Sequence, residues 1–210
     1  MQGPTPGAGG VVLCGGRSSR MGRPKAWLSF GPEVFLQRTV RILREVVEPV
    51  VVVASPGQDL PALPDSVLIA HDIEPHLGPL NGLATGLAAL AGRAEVAYLS
   101  SCDVPFLSPA FVRRIVECLG EADVCLPEID GFKHPLAAAY QARILPAVQE
   151  LLAAGRLRPA FLAERLPTRV LSATDFADVD PTLGSLRNVN TPGEYEAALR
   201  DAGYSPVDPA

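Results

Sequence analysis

The chain has no CxxC pair, no internal repeat and no low-complexity block. No apolar run approaches the roughly 20 residues that a membrane-spanning helix needs. The first ten residues are rich in Gly and Pro and carry no apolar signal core, which argues against export. The four cysteines, Cys14, Cys102, Cys118 and Cys125, each lie in or beside an apolar run. They are expected as buried, reduced thiols of a cytoplasmic protein. Excess positive charge is also missing: Lys and Arg total 18 against 23 Asp and Glu, a net charge of -5. That balance excludes the basic field of a nucleic-acid binder. His71 and His76 have no evident third ligand, so a structural zinc site is excluded on ligand count. Neither a Walker A loop nor a GxGxxG fingerprint is present. With no Gly-x-Ser-x-Gly and no Cys/His nucleophile arrangement, acyl transfer has no support.

What remains is a chain of 210 residues, 48% apolar and 20% charged, enough for one α/β domain with a sizeable core. Short β-branched runs alternate with helical spacing. Strands are expected at residues 10–14, 50–54, 67–70, 96–100 and 123–126, and less regularly at 136–140 and 170–173. The valine run from Val50, bounded by Pro49 and Ser55-Pro56-Gly57, suits a strand buried on both faces. Helices are expected at 33–47, 80–90 and 144–154, with another starting at Ser108-Pro109 as N-cap and first-turn proline. Thr191 and Glu194 form a capping box for a last helix through Leu199. Strand and helix in alternation imply a mostly parallel sheet with helices on both faces. Ligands of such sheets sit beyond the carboxyl ends of the strands. The loop at Gly15, the pair His71-Asp72 and the pair Cys102-Asp103 all follow strand ends, which predicts one shared site.

Four segments carry chemistry. Gly15-Gly16-Arg17-Ser18-Ser19-Arg20-Met21-Gly22-Arg23-Pro24-Lys25 joins paired glycines to clustered cations. The glycines let the backbone turn so that successive N–H groups face an anion. Arg17, Arg20 and Lys25 add charge suited to a triphosphate, and such a cluster in an acidic chain fits a small anionic ligand. Asp103, in Ser101-Cys102-Asp103-Val104-Pro105-Phe106, is a carboxylate after an apolar strand and can hold Mg2+, which keeps waters and substrate phosphates as its other ligands. Gly78-Pro79-Leu80-Asn81-Gly82 opens a helix whose backbone amides could meet a base or sugar, though a plain loop closure explains it as well. In Asn188-Val189-Asn190-Thr191-Pro192 the two asparagines share a side if extended, and an ordinary turn is the competing reading.

In order and approximate spacing these segments resemble the molybdenum cofactor guanylyltransferases, from about residue 11 to about residue 198. The resemblance implies a Rossmann-like nucleotidyltransferase fold, three-layer α/β/α; length and pattern give the expectation of a single domain over residues 1–200 and a flexible tail over 201–210. It implies transfer of GMP from GTP to Mo-molybdopterin, with Mg2+ as cofactor. GTP and Mo-molybdopterin are then the small-molecule partners, and cofactor-biosynthesis proteins or recipient molybdoenzymes are candidates for transient contact. No nucleic acid or membrane is expected as partner. By matching position, Leu13, Cys14, Gly15, Lys25, Asp72 and Asp103 are the implied nucleotide-binding residues, and the glycine loop and helix start read above add Gly16, Gly78, Pro79, Leu80 and Gly82 as candidates. Asp103, Lys25, Arg20 and Arg17 are the implied catalytic set, with Asp103 on the metal. Asn188, Asn190, Arg158 and His134 are implied on the acceptor side.

Two positions depart from the family pattern. Cys14 stands where Ala is common. The end of the second strand, Val52-Val53-Ala54-Ser55, lacks the asparagine that often reads guanine there. Related cytidylyltransferases and sugar-phosphate nucleotidyltransferases share the glycine/lysine loop, and a nucleotide-binding cofactor chaperone is the non-enzymatic alternative.

Overall fold

A computed structural model describes residues 3–15, 21, 23–72 and 77–205. Gly16, Arg17, Arg20 and His76, named above, lie outside the described residues.

The chain runs β1 (Ala8–Leu13), β2 (Ser29–Phe30), β3 (Glu33–Val34), α1 (Phe35–Arg44), β4 (Val50–Ala54), β5 (Leu68–His71), α2 (Gly78–Ala89) and β6 (Val96–Ser101). It continues through α3 (Pro109–Cys118), β7 (Val124–Ile129), β8 (Phe132–Lys133), β9 (Ala138–Gln141), α4 (Leu145–Ala153), α5 (Leu162–Arg165), β10 (Thr168–Leu171) and α6 (Pro192–Asp201). The main sheet has the order β10-β7-β9-β6-β1-β4-β5, with β8 paired to β7. Strands β5, β4, β1 and β6 are parallel, as are β7 and β10, whereas β9 runs antiparallel between β6 and β7. This is the expected mostly parallel α/β/α arrangement.

Alternation along the central strands builds two cores. Val12 and Val52 face α1 and α3, meeting Leu36, Val40, Phe111 and Ile115. Val11, Val51 and Val53 face the other way, against Leu80, Leu83 and Leu87 of α2 and Val148 of α4. All five residues of β4 are buried, as its unbroken apolar sequence requires. Close packing of α2 on β1 depends on Gly86, because a Cβ there would lie 2.4 Å from Val11 Cγ1.

The helix expected at 33–47 starts later, since residues 29–34 form the small β2–β3 hairpin around Gly31 with φ +64°. Ser108 precedes α3 as expected, but its hydroxyl makes no cap bond. Its backbone N–H instead donates to Ser185 Oγ at 3.0 Å. At α6 the capping box is formed: Glu194 N donates to Thr191 Oγ1 at 3.3 Å, and the Glu194 carboxylate accepts from Thr191 N at 3.0 Å.

A third, smaller cluster joins the two ends of the chain. Met21, Leu28, Phe30 and Phe35 pack with Val189, Ala198 and Leu199. Tyr195 donates to Ser29 O at 2.6 Å, and the Tyr204 ring meets Phe30 edge-on at 5.2 Å. Residues 201–205 are thus not a loose tail: α6 ends at Asp201 and Tyr204 is held under the hairpin, its N–H donating to Leu199 O. Residues 206–210 lie outside the described residues. Among the described residues, no helix is long and apolar enough to cross a membrane.

Candidate active site at the carboxyl ends of the strands

The third cluster brings the basic loop and the asparagine segment against the end of β6. Lys25 opens a short 3-10 turn, Lys25–Trp27, whose Ala26 is buried. Val189 is also buried, so alternation turns Asn188 and Asn190 to the opposite side, as their spacing predicted. Val189 N donates to Asp103 O at 2.9 Å, which places the asparagines on either side of Asp103.

Five side chains then close one network. Lys25 Nζ donates to Asp103 Oδ2 at 2.5 Å and to Asn190 Oδ1 at 2.7 Å. Ser101 Oγ donates to Asp103 Oδ1 at 2.5 Å, and Asn188 Nδ2 donates to the same oxygen at 2.8 Å. Asp103 is only 7% exposed, so its charge needs these partners. Ser101, two residues before Asp103 and pointing to the same side, is a contributor that sequence reasoning missed. Its visible signal was the strand period alone.

Behind this network, Cys14 and Cys102 continue the adjacent parallel strands β1 and β6. Cys14 N donates to Val53 O at 2.9 Å, its carbonyl accepts from Gln58 Nε2 at 3.1 Å, and Cys102 N donates to Leu13 O at 3.1 Å. A hydrogen bond between the two thiols lowers the Cys14 pKa and, with burial, raises that of Cys102. The polar groups of Cys14 are therefore engaged inside the protein. Gly15 is exposed beside Ser55, where a Cβ would lie 3.0 Å from Ser55 Oγ.

Asp72 sits past the end of β5. Its N–H donates to Ala54 O at 3.0 Å and its carboxylate accepts from Thr85 Oγ1 at 3.1 Å. Burial raises its pKa, and the Thr85 bond opposes that. Gly78 takes φ +73° against Leu157 O, and Pro79 occupies the first turn of α2. Two residues of this group belong to packing. Leu80 has no exposed surface, so its side chain is core, and Gly82 leaves room for Leu13, whose Cδ2 would lie 2.7 Å from an added Cβ. Gly82 thus allows the close approach of α2 to β1.

Next to Asp103 opens a cavity of about 340 Å³. Ser101 and Asn188 form the wall it shares with the network, and Pro79 closes one end. Lys133 lines it from the end of β8, His134 from the β8–β9 connection, and Arg158 from the segment after α4. Leu136, Pro159 and Leu186 supply apolar surface. Half-burial lowers the pKa of His134, which favours the neutral imidazole. The loop carrying Leu186 is built on Asp180, a buried carboxylate accepting from Gly184 N at 3.0 Å and Ser185 N at 2.9 Å. Sequence reasoning passed over Asp180 because its partners are backbone groups fixed only by the fold. Asn188, Arg158 and His134 line one cavity, whereas Asn190 stands at Lys25.

A strand-end carboxylate, a lysine from a glycine-rich segment and an adjoining cavity on a mostly parallel sheet make this the candidate site. Residues 10–169 match the family described as the MobA-like NTP transferase domain, and the chain belongs to that family. It is 37% identical over 203 residues to a "Probable molybdenum cofactor guanylyltransferase" of Mycobacterium tuberculosis, covering 91% of this chain and 92% of the relative. The crystal structure of a molybdopterin-guanine dinucleotide biosynthesis protein A from Archaeoglobus fulgidus superposes with a TM-score of 0.74. That match has 18% identity and covers 93% of this chain and 98% of the other. A 2-C-methyl-D-erythritol 4-phosphate cytidylyltransferase from Thermus thermophilus gives a TM-score of 0.67 at 17% identity, covering 92% and 98%. At these identities the two structures speak for the fold alone.

Proposed function

We propose that this chain transfers GMP from GTP to Mo-molybdopterin, producing the guanine dinucleotide cofactor and pyrophosphate in the cytoplasm. The observation that carries the reading is the Lys25–Asp103–Asn188–Asn190 network set directly against the cavity. One side of Asp103 faces the nucleotide loop. Ser101 and Asn188, which bind its other oxygen, line a pocket with apolar surface and two cations, suited to a flat ring system bearing a phosphate. The relatives' names agree with this assignment.

The donor set fits Mg2+ held in the sparse manner that nucleotide enzymes use. Asp103 supplies one buried carboxylate, and among the described residues no group of three His, Cys, Asp or Glu competes with it. Such an ion keeps waters and substrate phosphates as its remaining ligands. When bound, it neutralises charge on the α- and β-phosphates. The protein's own part is positioning and charge. Ser101 and Asn188 fix the Asp103 carboxylate by binding Oδ1. Lys25, with Arg17 and Arg20 of the same loop, stabilises the leaving pyrophosphate. Arg158 and Lys133 orient the acceptor phosphate for in-line attack, and His134 in its neutral form packs against the acceptor ring. A phosphate monoester is already ionised at pH 7, so no general base is required.

The deciding measurement is pyrophosphate release with Mo-molybdopterin and each of GTP, CTP, ATP and UTP, with and without Mg2+. Turnover only with GTP and only with the metal is expected. Preference for CTP would reassign the chain to cytidylyl transfer, and binding without turnover would make it a carrier.

Asp72 is assigned to the nucleoside, and the assignment predicts opposite effects on affinity and stability. Its raised carboxyl pKa means the folded protein holds that proton more tightly than the unfolded chain does. Its contribution is therefore favourable at low pH and lost as pH rises through the raised value. At pH 7 Asp72→Asn is expected to leave the melting temperature unchanged or raise it. GTP affinity should fall about 10-fold, the size of one lost charged hydrogen bond. Calorimetric titration beside thermal melts reads both, and undiminished affinity would remove Asp72 from the nucleoside site.

A further inference from the structure

The arrangement around Lys25 bears on when a metal can bind. Asp103 Oδ1 is taken by two donors, Ser101 and Asn188. Oδ2 is the carboxylate oxygen turned to the basic loop, and it holds the Lys25 ammonium at 2.5 Å. The same ammonium bears on Asn190 Oδ1 at 2.7 Å. One carboxylate oxygen and one amide oxygen thus converge on a single cation from parts of the chain 87 residues apart, Asp103 and Asn190. Oxygen donors of this kind are also what a hard divalent ion selects.

We propose that Lys25 is an exchangeable counter-cation at the metal position, and that a divalent ion gains Asp103 only as a nucleoside triphosphate draws the ammonium onto its phosphates. The proposal rests on the reading of Asp103 as the metal carboxylate. The physical ground is competition. A monovalent and a divalent cation cannot both sit on Oδ2 in a site this sheltered without strong repulsion, since Asp103 brings one negative charge. A triphosphate supplies the missing negative charge and gives the ammonium another anionic partner. Metal and nucleotide then favour each other's binding by the same factor. The device keeps the carboxylate paired throughout, so no uncompensated buried charge arises between turnovers.

The test uses the full chain and Mn2+ as the probe, with bound and free ion separated by electron paramagnetic resonance. Without nucleotide, the wild-type protein is expected to bind Mn2+ weakly. Lys25→Met keeps the aliphatic stem and removes the charge, and it is expected to bind Mn2+ at least about 10-fold more tightly, within the usual range of such couplings. Lys25→Gln should show the same gain, and thermal melts check that both variants are folded. Adding Asp103→Asn to Lys25→Met should abolish the gain. Equal Mn2+ affinity of wild type and both Lys25 variants, with Asp103→Asn still weakening Mn2+ binding in the presence of GTP, would overturn the counter-cation role and leave the metal assignment standing. If Asp103→Asn leaves Mn2+ binding unchanged with GTP as well, the metal assignment falls and the counter-cation role falls with it.

Discussion

Asp103→Asn is expected to lower turnover roughly 100- to 1,000-fold, the usual cost of losing one group that meets developing charge in the transition state. The substitution keeps shape and volume, so the fold should survive. What changes is the chemistry of one buried carboxylate that accepts from Ser101, Lys25 and Asn188 together. An amide has one acceptor oxygen in place of two, and its NH2 would face a donor on one side. Steady-state pyrophosphate release and a thermal melt check the two halves of the expectation. A variant with more than a tenth of wild-type turnover would take Asp103 out of the metal role.

Gly86→Val is expected to give the largest loss of stability, about 3 kcal/mol or more from overpacking in the core. For a chain of this length that corresponds to a fall in melting temperature of roughly 6–12 °C. The reason is local: an added Cβ lies 2.4 Å from Val11 Cγ1 and 2.7 Å from Cγ2, and Val11 is a β-branched residue of a central strand with no room to turn. Gly82→Ala is the contrasting case. There the Cβ meets only the Cδ2 end of Leu13, which can move, so the expected cost is below about 1 kcal/mol. Thermal and urea melts of the two variants give the ranking directly. A greater loss for Gly82→Ala would show that α2 packs on β1 differently from this description.

The elements with strong local chemistry were readable. The valines of β4, the proline at the start of α3 and the Thr191–Glu194 box each dictate their structure through nearest neighbours, and each stands where expected. The strand-end rule also placed Asp72 and Asp103 on the correct edge of the sheet. Other features depend on distant partners. Nothing local to Lys25 says that its ammonium meets a carboxylate 78 residues on and an amide 165 residues on. The β2–β3 hairpin was hidden because each of its strands is two residues long, too short to show a period. Glycines at 82 and 86 look alike in sequence, and only the side chains opposite them separate a yielding contact from a rigid one. Asp180 and Ser185 escaped notice because a carboxylate bound to backbone N–H groups leaves no pattern of spacing.

Tyr204, lodged beneath the Gly31 turn, has a consequence for how the protein is made. Lys25 emerges from the ribosome well before Asn190, α6 and Tyr204 do. A nascent chain therefore carries Lys25 and Asp103 for a time without the elements that complete the site. Asn190 reaches Lys25 only when α6 closes over the hairpin, so capacity to use nucleotide should appear only after α6 has emerged.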